Sequence, residues 1–202
     1  SGIGETGYTQ AVWYRRSYAP PDLGPHERLK LHFGAVDYAA TVWIDGLLVG
    51  DHEGGYTPFS VDLTPHCRGG APITIVVRAV DDPHDLAKPR GKQDWQLHSH
   101  SIWYPRTTGI WQSVWVERLP RSYLSKVRWG SNLERWEIQF KAFIAGDFEE
   151  GMRLRLELRF GSTVLADDIY VLSHPEVERR IALSDPGIDD SRNSLLWSPR
   201  TP

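Results

Sequence analysis

Aromatic and basic side chains crowd into residues 101–117, which read S-I-W-Y-P-R-T-T-G-I-W-Q-S-V-W-V-E. Trp103, Tyr104, Arg106 and Trp111 lie ahead of an alternating apolar run, in a part that a proline and a glycine make irregular. An indole offers a flat apolar face to the C–H groups of a sugar ring, and a guanidinium offers planar donors to its hydroxyls. This chemistry predicts a carbohydrate contact, although aromatic residues that only fill a sandwich core would give the same composition.

The regular strand pattern fails next to this cluster, across residues 81–108. Loops of this length inside compact domains are usually functional or disordered. This one contains Trp95, Trp103 and Tyr104 beside several basic residues and has no low complexity, which favours an ordered binding loop over a flexible linker. The alternative is that the aromatic side chains pin an otherwise idle loop onto the domain.

Short runs that alternate apolar and polar residues fill most of the first 120 residues, with no convincing helical pattern. Asp45-Gly46 is a strong hairpin signal, because both central residues of a type I′ turn need positive φ. Residues 73–80 form a continuous β-branched run, which predicts a central strand covered on both faces. The other strands are predicted at 28–33, 41–44, 47–50 and 59–63.

The composition shifts after Leu119-Pro120, where we place a domain boundary. Repeated short strands with polar turns indicate a second sandwich of the immunoglobulin-like kind, although no cysteine pair supports a true immunoglobulin domain. Its strands are predicted at 123–129, 136–143, 153–160, 163–172 and 177–181. The sequence therefore predicts an all-β chain of two sandwiches.

Composition excludes several kinds of partner. Lys and Arg number 23 against 26 Asp and Glu, so the net charge of −3 is too small and too dispersed to indicate a nucleic acid or an anionic membrane. No apolar stretch approaches the ~20 residues that span a bilayer. Cys67 is the single cysteine and predicts neither an internal disulfide nor a cellular location. The chain starts S-G-I-G, without Met or an apolar signal region, so we expect both ends to lie inside a longer protein.

Four ordered motifs resemble the N-terminal sugar-binding domain of glycoside hydrolase family 2, which includes β-galactosidases and β-glucuronidases. The motifs are R-L-K-L-H-F-G-A-V-D-Y-A-A-T-V-W-I-D-G-L-L-V-G at 28–50, G-G-Y-T-P-F-S-V-D-L-T at 54–64, R-G-K-Q-D-W at 90–95 and W-Y-P-R-T-T-G-I-W-Q-S-V-W at 103–115. Further on, L-L-W-S-P-R-T-P at 195–202 resembles the end of the family's second, immunoglobulin-like domain.

The resemblance implies a jelly-roll sugar-binding domain at 1–120, followed by an immunoglobulin-like β-sandwich at 121–202. The second domain is expected to be incomplete, because the family's closing strands would lie beyond Pro202. Family members continue into a (β/α)8 barrel that holds both catalytic glutamates. The resemblance therefore implies that no catalytic residue lies in this chain.

In the family, a long loop of the sugar-binding domain reaches the mouth of the barrel, and some members place there an acidic residue that binds the sugar. The matching residues 101–106 contain no carboxylate here. We therefore assign substrate contact to Gln93, Trp95, Trp103 and Arg106 in its place. The two indoles are expected to be stacking faces, and the amide and guanidinium are expected to donate to hydroxyls.

Neither a catalytic carboxylate pair nor a metal site is predicted. A retaining glycosidase needs two carboxyl groups roughly 5 to 5.5 Å apart, whereas neighbours in a strand point to opposite sides. A His98-x-His100 pair could bind zinc only with a third ligand such as His84, so no metal or cofactor is assigned. The adjacent acidic residues are interpreted as turns and solvated faces: Asp81-Asp82, Glu149-Glu150, Asp167-Asp168 and Asp189-Asp190.

The whole sequence predicts accessory, non-catalytic domains of a family 2 glycoside hydrolase that cleaves β-galactoside-like or β-glucuronide-like bonds. The expected partners are the carbohydrate substrate and the catalytic (β/α)8 barrel of the parent chain, with a homo-oligomer left open. Two alternatives remain. One is a free-standing carbohydrate-binding module, and the other is a purely structural role in which the aromatic loop packs on the barrel or a second subunit.

Overall fold

The computed structural model describes residues 9–67, 69–96, 98–183 and 195–200. Over these residues the chain is all-β, with a short 3₁₀ helix at Thr64–His66. The chain divides into two compact units, Ser1–Pro120 and Arg121–Pro202. Within the described residues, no helix has the length and hydropathy needed to cross a membrane.

Antiparallel strands build the first unit. In chain order they are β1 (Ala11–Tyr18), β2 (Glu27–Phe33), β3 (Val36–Asp37), β4 (Ala39–Ile44), β5 (Leu47–Glu53), β6 (Phe59–Asp62), β7 (Ile73–Val80), β8 (Gly109–Ile110) and β9 (Val114–Pro120). One sheet has the order β1-β7-β4-β5, a second has the order β6-β2-β9, and β3 pairs with β8. Every strand predicted in this unit is confirmed.

One apolar core joins the two larger sheets of the first unit. Leu29, Leu31 and Phe33 of β2 are buried in it, which confirms the alternation read from the sequence. Strand β7 is central, between β1 and β4, but only one of its faces is buried, because Arg78 on the other face is exposed. That outer face is covered in part by the stacked rings of Trp13 and Trp43, whose centroids lie 5.6 Å apart.

Strands β4 and β5 form the hairpin predicted at Asp45-Gly46. The two residues have φ values of 48° and 83°, so both adopt the positive φ that the turn requires. Oδ1 of Asp45 accepts a hydrogen bond of 2.7 Å from the N–H of Thr74, and its own N–H donates to the Thr74 carbonyl at 2.9 Å. These bonds tie the turn to the start of β7.

Strand β1 is an element that the sequence analysis did not identify. It pairs antiparallel with β7 along its whole length, from Ala11 opposite Val80 to Tyr18 opposite Ile73. The Tyr14 hydroxyl accepts a hydrogen bond of 3.1 Å from the N–H of Ile110 in β8. Strand β1 thus helps to fix the end of the long loop that joins β7 to β8.

The second unit contains five strands in its described residues: β10 (Ser122–Asn132), β11 (Glu137–Gly146), β12 (Arg153–Phe160), β13 (Thr163–Val171) and β14 (Glu176–Ala182). They form a sheet of order β10-β11-β14 and a pair β12-β13. A second apolar core contains Phe140 and Val177 from the first sheet and Leu156 from the pair. All five strands predicted here are confirmed.

Candidate functional site

The loop between β7 and β8, residues 81–108, is the candidate site, and its two arms are held side by side. The N–H of Asp94 donates to the Tyr104 carbonyl at 2.8 Å, and the N–H of Tyr104 donates to the Lys92 carbonyl at 2.9 Å. These bonds set Gln93 and Tyr104 in a short parallel bridge. Backbone hydrogen bonds between its two arms therefore order the loop. The sequence did not predict this pairing, because residues 81–108 contain no alternating apolar pattern.

Gln93 anchors this loop to β3. Its Nε2 donates to Oδ2 of Asp37 at 2.8 Å, and its Oε1 accepts from the N–H of Thr107 at 2.7 Å. Asp37 is only 5% exposed, and burial raises the pKa of its carboxyl although the hydrogen bond from Gln93 acts in the opposite direction. The Gln93 amide thus joins the sandwich to both arms of the loop.

Arg106 lies inside the loop, with its side chain 7% exposed. Its Nη1 donates to the carbonyl of Pro83 at 3.0 Å, and its Nη2 lies 3.5 Å from Oδ2 of Asp81. Asp81 also has Nζ of Lys88 at 3.8 Å. Burial raises the pKa of Asp81, against the lowering effect of both cations. These contacts fasten the first residues of the loop to the last.

Three rings form what we call the aromatic corner: Trp95, His100 and Trp103. The Trp95 and Trp103 rings meet edge to face, with centroids 5.2 Å apart and planes at 67°. The His100 ring stands at 88° to Trp95, with centroids 5.1 Å apart. Trp95 is 44% exposed and Trp103 is half-buried, so the corner presents aromatic surface to solvent.

Asp94 lies beneath the aromatic corner with 0% exposure. Its Oδ1 accepts from the N–H of Gln96 at 2.9 Å, while its Oδ2 contacts both the N–H and the ring Nδ1 of His100 at 2.7 Å. Burial acts to raise the pKa of Asp94, but these hydrogen bonds outweigh it and the pKa is lowered. The carboxylate is therefore a charged, buried support for His100.

A second exposed aromatic pair lies at the base of the loop. Tyr56 and Trp111 meet edge to face with centroids 5.9 Å apart, and they are 52% and 49% exposed. Nε1 of Trp111 donates to the Gly55 carbonyl at 2.8 Å. A Cβ on Gly91, which has φ +60°, would lie 2.7 Å from the Tyr56 hydroxyl, so glycine allows the loop to approach this ring.

The structure brings two of the four sequence-predicted contact residues together, namely Trp95 and Trp103. Gln93 and Arg106 belong to the same loop, and the bonds described above join their polar groups to protein atoms. Sequence reasoning assigned no role to Asp94 and considered His100 only as part of a possible zinc pair with His98. The D-W dipeptide and the H-S-H run that follows would have been the only signal, since contacts across a loop leave no periodic pattern.

Asp167-Asp168, one of the adjacent acidic pairs, has ordinary side-chain partners. Oδ1 and Oδ2 of Asp167 each accept a 2.8 Å hydrogen bond from Arg155, and Asp168 accepts one from the Tyr170 hydroxyl at 3.1 Å. Asp189-Asp190 lies outside the described residues. Across the described ranges, no group of three or more His, Cys, Asp or Glu side chains is placed to hold a metal ion.

The fold places this protein in the class of all-β chains built from sandwich units. A match to a family model identifies the family within that class. The model of the sugar-binding domain of glycosyl hydrolases family 2 matches residues 5–120, which is more than half of the chain. The chain belongs to this family.

Curated relatives carry the names of two activities. A β-galactosidase of Thermoanaerobacter pseudethanolicus is 28% identical over 123 residues, which make up 61% of this chain and 16% of the relative. A β-glucuronidase of Formosa agariphila is 30% identical over 108 residues, which make up 54% of this chain and 11% of the relative. The chain thus spans a small part of the length of these relatives.

A solved structure shows the same fold. Bacteroides uniformis β-glucuronidase 3 aligns with 96% of this chain and 24% of its own chain, with a TM-score of 0.64 and 16% identity. At this identity the likeness concerns the fold alone.

Proposed function

We propose that this chain is the non-catalytic, substrate-side part of a family 2 glycoside hydrolase that acts on β-galactoside-like or β-glucuronide-like bonds. In this proposal, residues 1–120 are the jelly-roll sugar-binding domain, and residues 121–202 belong to an immunoglobulin-like domain. Bond cleavage belongs to a catalytic (β/α)8 barrel in the parent chain. The observation that carries the proposal is the aromatic corner, which an ordered loop holds with Trp95 44% exposed.

In this proposal Trp95 and Trp103 give the sugar an apolar face at the edge of the catalytic site. Indoles suit this purpose because the C–H face of a pyranose packs on a flat ring while its hydroxyls stay in water. Gln93 and Arg106 hold the loop in place through Asp37, Thr107 and Pro83. Donation from either side chain to a sugar hydroxyl would require these bonds to be exchanged.

We expect the isolated chain not to hydrolyse glycosides, and the surroundings of two of its acidic residues support this expectation. Asp81 lies within reach of Arg106 and Lys88, and Asp167 pairs with Arg155, so each carboxylate faces a cation. A glycosidase needs one carboxyl group that can donate its proton and a second that can attack or activate water. The purified 202-residue chain is expected to show no turnover of 4-nitrophenyl β-galactoside or β-glucuronide.

Turnover that survives repeated purification, and that is lost on changing one acidic residue of the chain, would overturn this expectation. The necessary control is a variant in which that acidic residue is replaced. Turnover caused by traces of a host glycosidase would persist in this variant.

The internal bonds of Gln93 and Arg106 favour one other candidate, a purely structural role for the loop. In that case the aromatic corner would cover a protein surface and would bind no sugar. Direct titration separates the possibilities. If the loop is half of a composite site, it is expected to bind a methyl β-glycoside with a millimolar or weaker dissociation constant. A free-standing binding module is expected to bind the same glycoside with a micromolar dissociation constant. A loop with a purely structural role is expected not to bind it.

A further inference from the structure

His100 has one ring nitrogen committed to the protein and the other available. Nδ1 lies 2.7 Å from Oδ2 of the buried Asp94 carboxylate. No described residue bonds to Nε2, and the side chain is 41% exposed. The ring stands at the rim of Trp95, 5.1 Å between centroids and nearly perpendicular to it. A polar atom thus lies beside the exposed aromatic face.

Asp94 sets the tautomer of this imidazole. The hydrogen bonds that it accepts lower its pKa, so the carboxylate is ionised near neutral pH and can only accept. Nδ1 must then carry a proton and donate it to Oδ2. In the neutral ring the remaining nitrogen, Nε2, has a lone pair and no proton, and it is therefore a hydrogen-bond acceptor.

We propose that Nε2 of His100 accepts a hydrogen bond from a hydroxyl of the pyranoside that packs on Trp95, and that Asp94 is the positioning residue that makes it an acceptor. This inference rests on the proposed function and specifies its polar contact. Of the polar side chains considered for sugar contact, Gln93 and Arg106 bond to protein atoms, whereas His100 presents Nε2 beside the exposed face of Trp95. Sugar hydroxyls are donors as well as acceptors, so this contact selects for a hydroxyl at one ring position.

The tautomer can be tested without any sugar. Long-range ¹H–¹⁵N spectra of the 202-residue chain, recorded where the His100 ring is neutral, are expected to show a protonated Nδ1 and an unprotonated Nε2. A His100 ring protonated at Nε2 in its neutral form would overturn the proposal.

Two matched variants test the contact itself. His100→Asn keeps an N–H donor close to the position of Nδ1, and so retains a partner for Asp94, but has no atom at the position of Nε2. We expect affinity for methyl β-D-galactopyranoside or methyl β-D-glucuronide to fall about three- to tenfold, the range for one net hydrogen bond. His98→Asn, at an exposed position of the same loop, is the control and should leave affinity unchanged.

Monodeoxy sugars identify the hydroxyl and exclude an indirect effect. One monodeoxy methyl glycoside should bind the unmodified chain more weakly by a similar factor, yet bind the His100→Asn variant as well as its parent sugar does. If, for every monodeoxy sugar, the loss of affinity from the missing hydroxyl simply adds to the loss from His100→Asn, the proposal is overturned.

The outcomes also separate this inference from the function on which it rests. If Trp95→Ala abolishes binding while His100→Asn leaves it unchanged, the role of His100 is overturned and the proposed sugar contact stands. If the unmodified chain shows no titratable change with either glycoside, the proposed sugar contact fails and the role of His100 fails with it.

Discussion

At the scale of single residues, the clearest contribution to stability comes from the buried contact of Arg106 with Asp81. The side chains are 7% and 8% exposed, so removal of the guanidinium takes away the nearest cation of a buried carboxylate, while Lys88 and Arg90 still act on it. We expect Arg106→Met to destabilise the first unit by about 3 kcal/mol. Urea unfolding, followed by tryptophan fluorescence, measures the loss.

Arg118→Met is the matched control for that variant. Arg118 pairs with Glu27 in the same unit, but its side chain is 50% exposed. An exposed pair contributes about 0 to 1 kcal/mol, so this variant should unfold close to the unmodified chain. Equal losses for the two variants would contradict the assignment of Arg106 as a buried anchor.

Two acidic residues of the loop region should give stability opposite dependences on pH. Burial raises the pKa of Asp37 in the folded chain, so its favourable contribution is present below an unfolded pKa of about 3.9 and is lost as pH rises through the folded pKa. Hydrogen bonds lower the pKa of Asp94 against the effect of burial, so its contribution is present above about pH 3.9 and is lost as pH falls through its folded pKa.

Asparagine variants isolate each contribution from those of the other carboxylates. As pH rises from about 4 to 7, Asp37→Asn should gain stability relative to the unmodified chain, whereas Asp94→Asn should lose stability relative to it as pH rises from about 2 to 4. Denaturant midpoints at a series of pH values provide the measurement. Two slopes of the same sign would show that one of these environments is wrongly described.

Replacement of Trp103 by alanine tests whether its ring faces a ligand or packs in the core. If it packs on the sugar, Trp103→Ala removes a contact worth about 1 to 3 kcal/mol of binding and leaves the thermal midpoint little changed. If the ring is a core residue, the change costs roughly 3 to 5 kcal/mol of folding free energy. Trp13→Ala, which removes an indole 61% exposed on the outer face of β1, is the control for loss of a surface tryptophan.

The sequence singled out the two indoles that meet in the candidate site but not the polar groups that support them. Trp95 and Trp103 were identifiable because large aromatic residues in a long loop without a strand pattern often indicate a binding function. Asp94 and His100 lie six positions apart and meet in an irregular part of the loop, whose arms pair through Asp94 and Tyr104. No local pattern encodes such a contact.

At the scale of elements, local signals determined most of the strands. Alternation in β2 and β12 and the Asp45-Gly46 turn are short-range features, and the structure confirms each of them. Strand β1 was missed because its outward residues include Trp13, which hides the alternation with Val12 and Tyr14. Its partner β7 lies more than fifty residues later, so only the sheet itself reveals the pairing.

Glycines at the ends of strands in the second unit permit a prediction about turns. Gly146 and Gly161 both have positive φ, so an alanine at either costs about 1 kcal/mol in backbone conformation. A Cβ at Gly161 would meet open space, whereas one at Gly146 would lie 1.8 Å from the carbonyl oxygen of Arg121. We expect Gly146→Ala to destabilise the second unit well beyond Gly161→Ala in parallel urea titrations.

Similar losses for the two glycine variants would show that the backbone around Arg121 and Gly146 moves apart at little cost. Such a result would remove the close approach as the reason for glycine at position 146.

At the scale of the whole molecule, family membership and the all-β fold agree. Residues 5–120 match the sugar-binding domain model, while the chain aligns with only 16% and 11% of two curated relatives. The all-β fold was predictable from alternation and turns alone. The contacts inside the loop were not predictable, because residues 81–108 follow no regular period and those contacts are non-local.

The central claim is that the loop contacts sugar through Trp95 and Trp103, and the indole N–H signals of the 202-residue chain test it most directly. Titration with methyl β-D-galactopyranoside or methyl β-D-glucuronide should shift both signals along a single binding curve, with a millimolar or weaker dissociation constant. The signal of Trp13, on the outer face of β1, should stay in place. Indole signals of Trp95 and Trp103 that do not move at saturating sugar, while the chain remains folded, would contradict the claim.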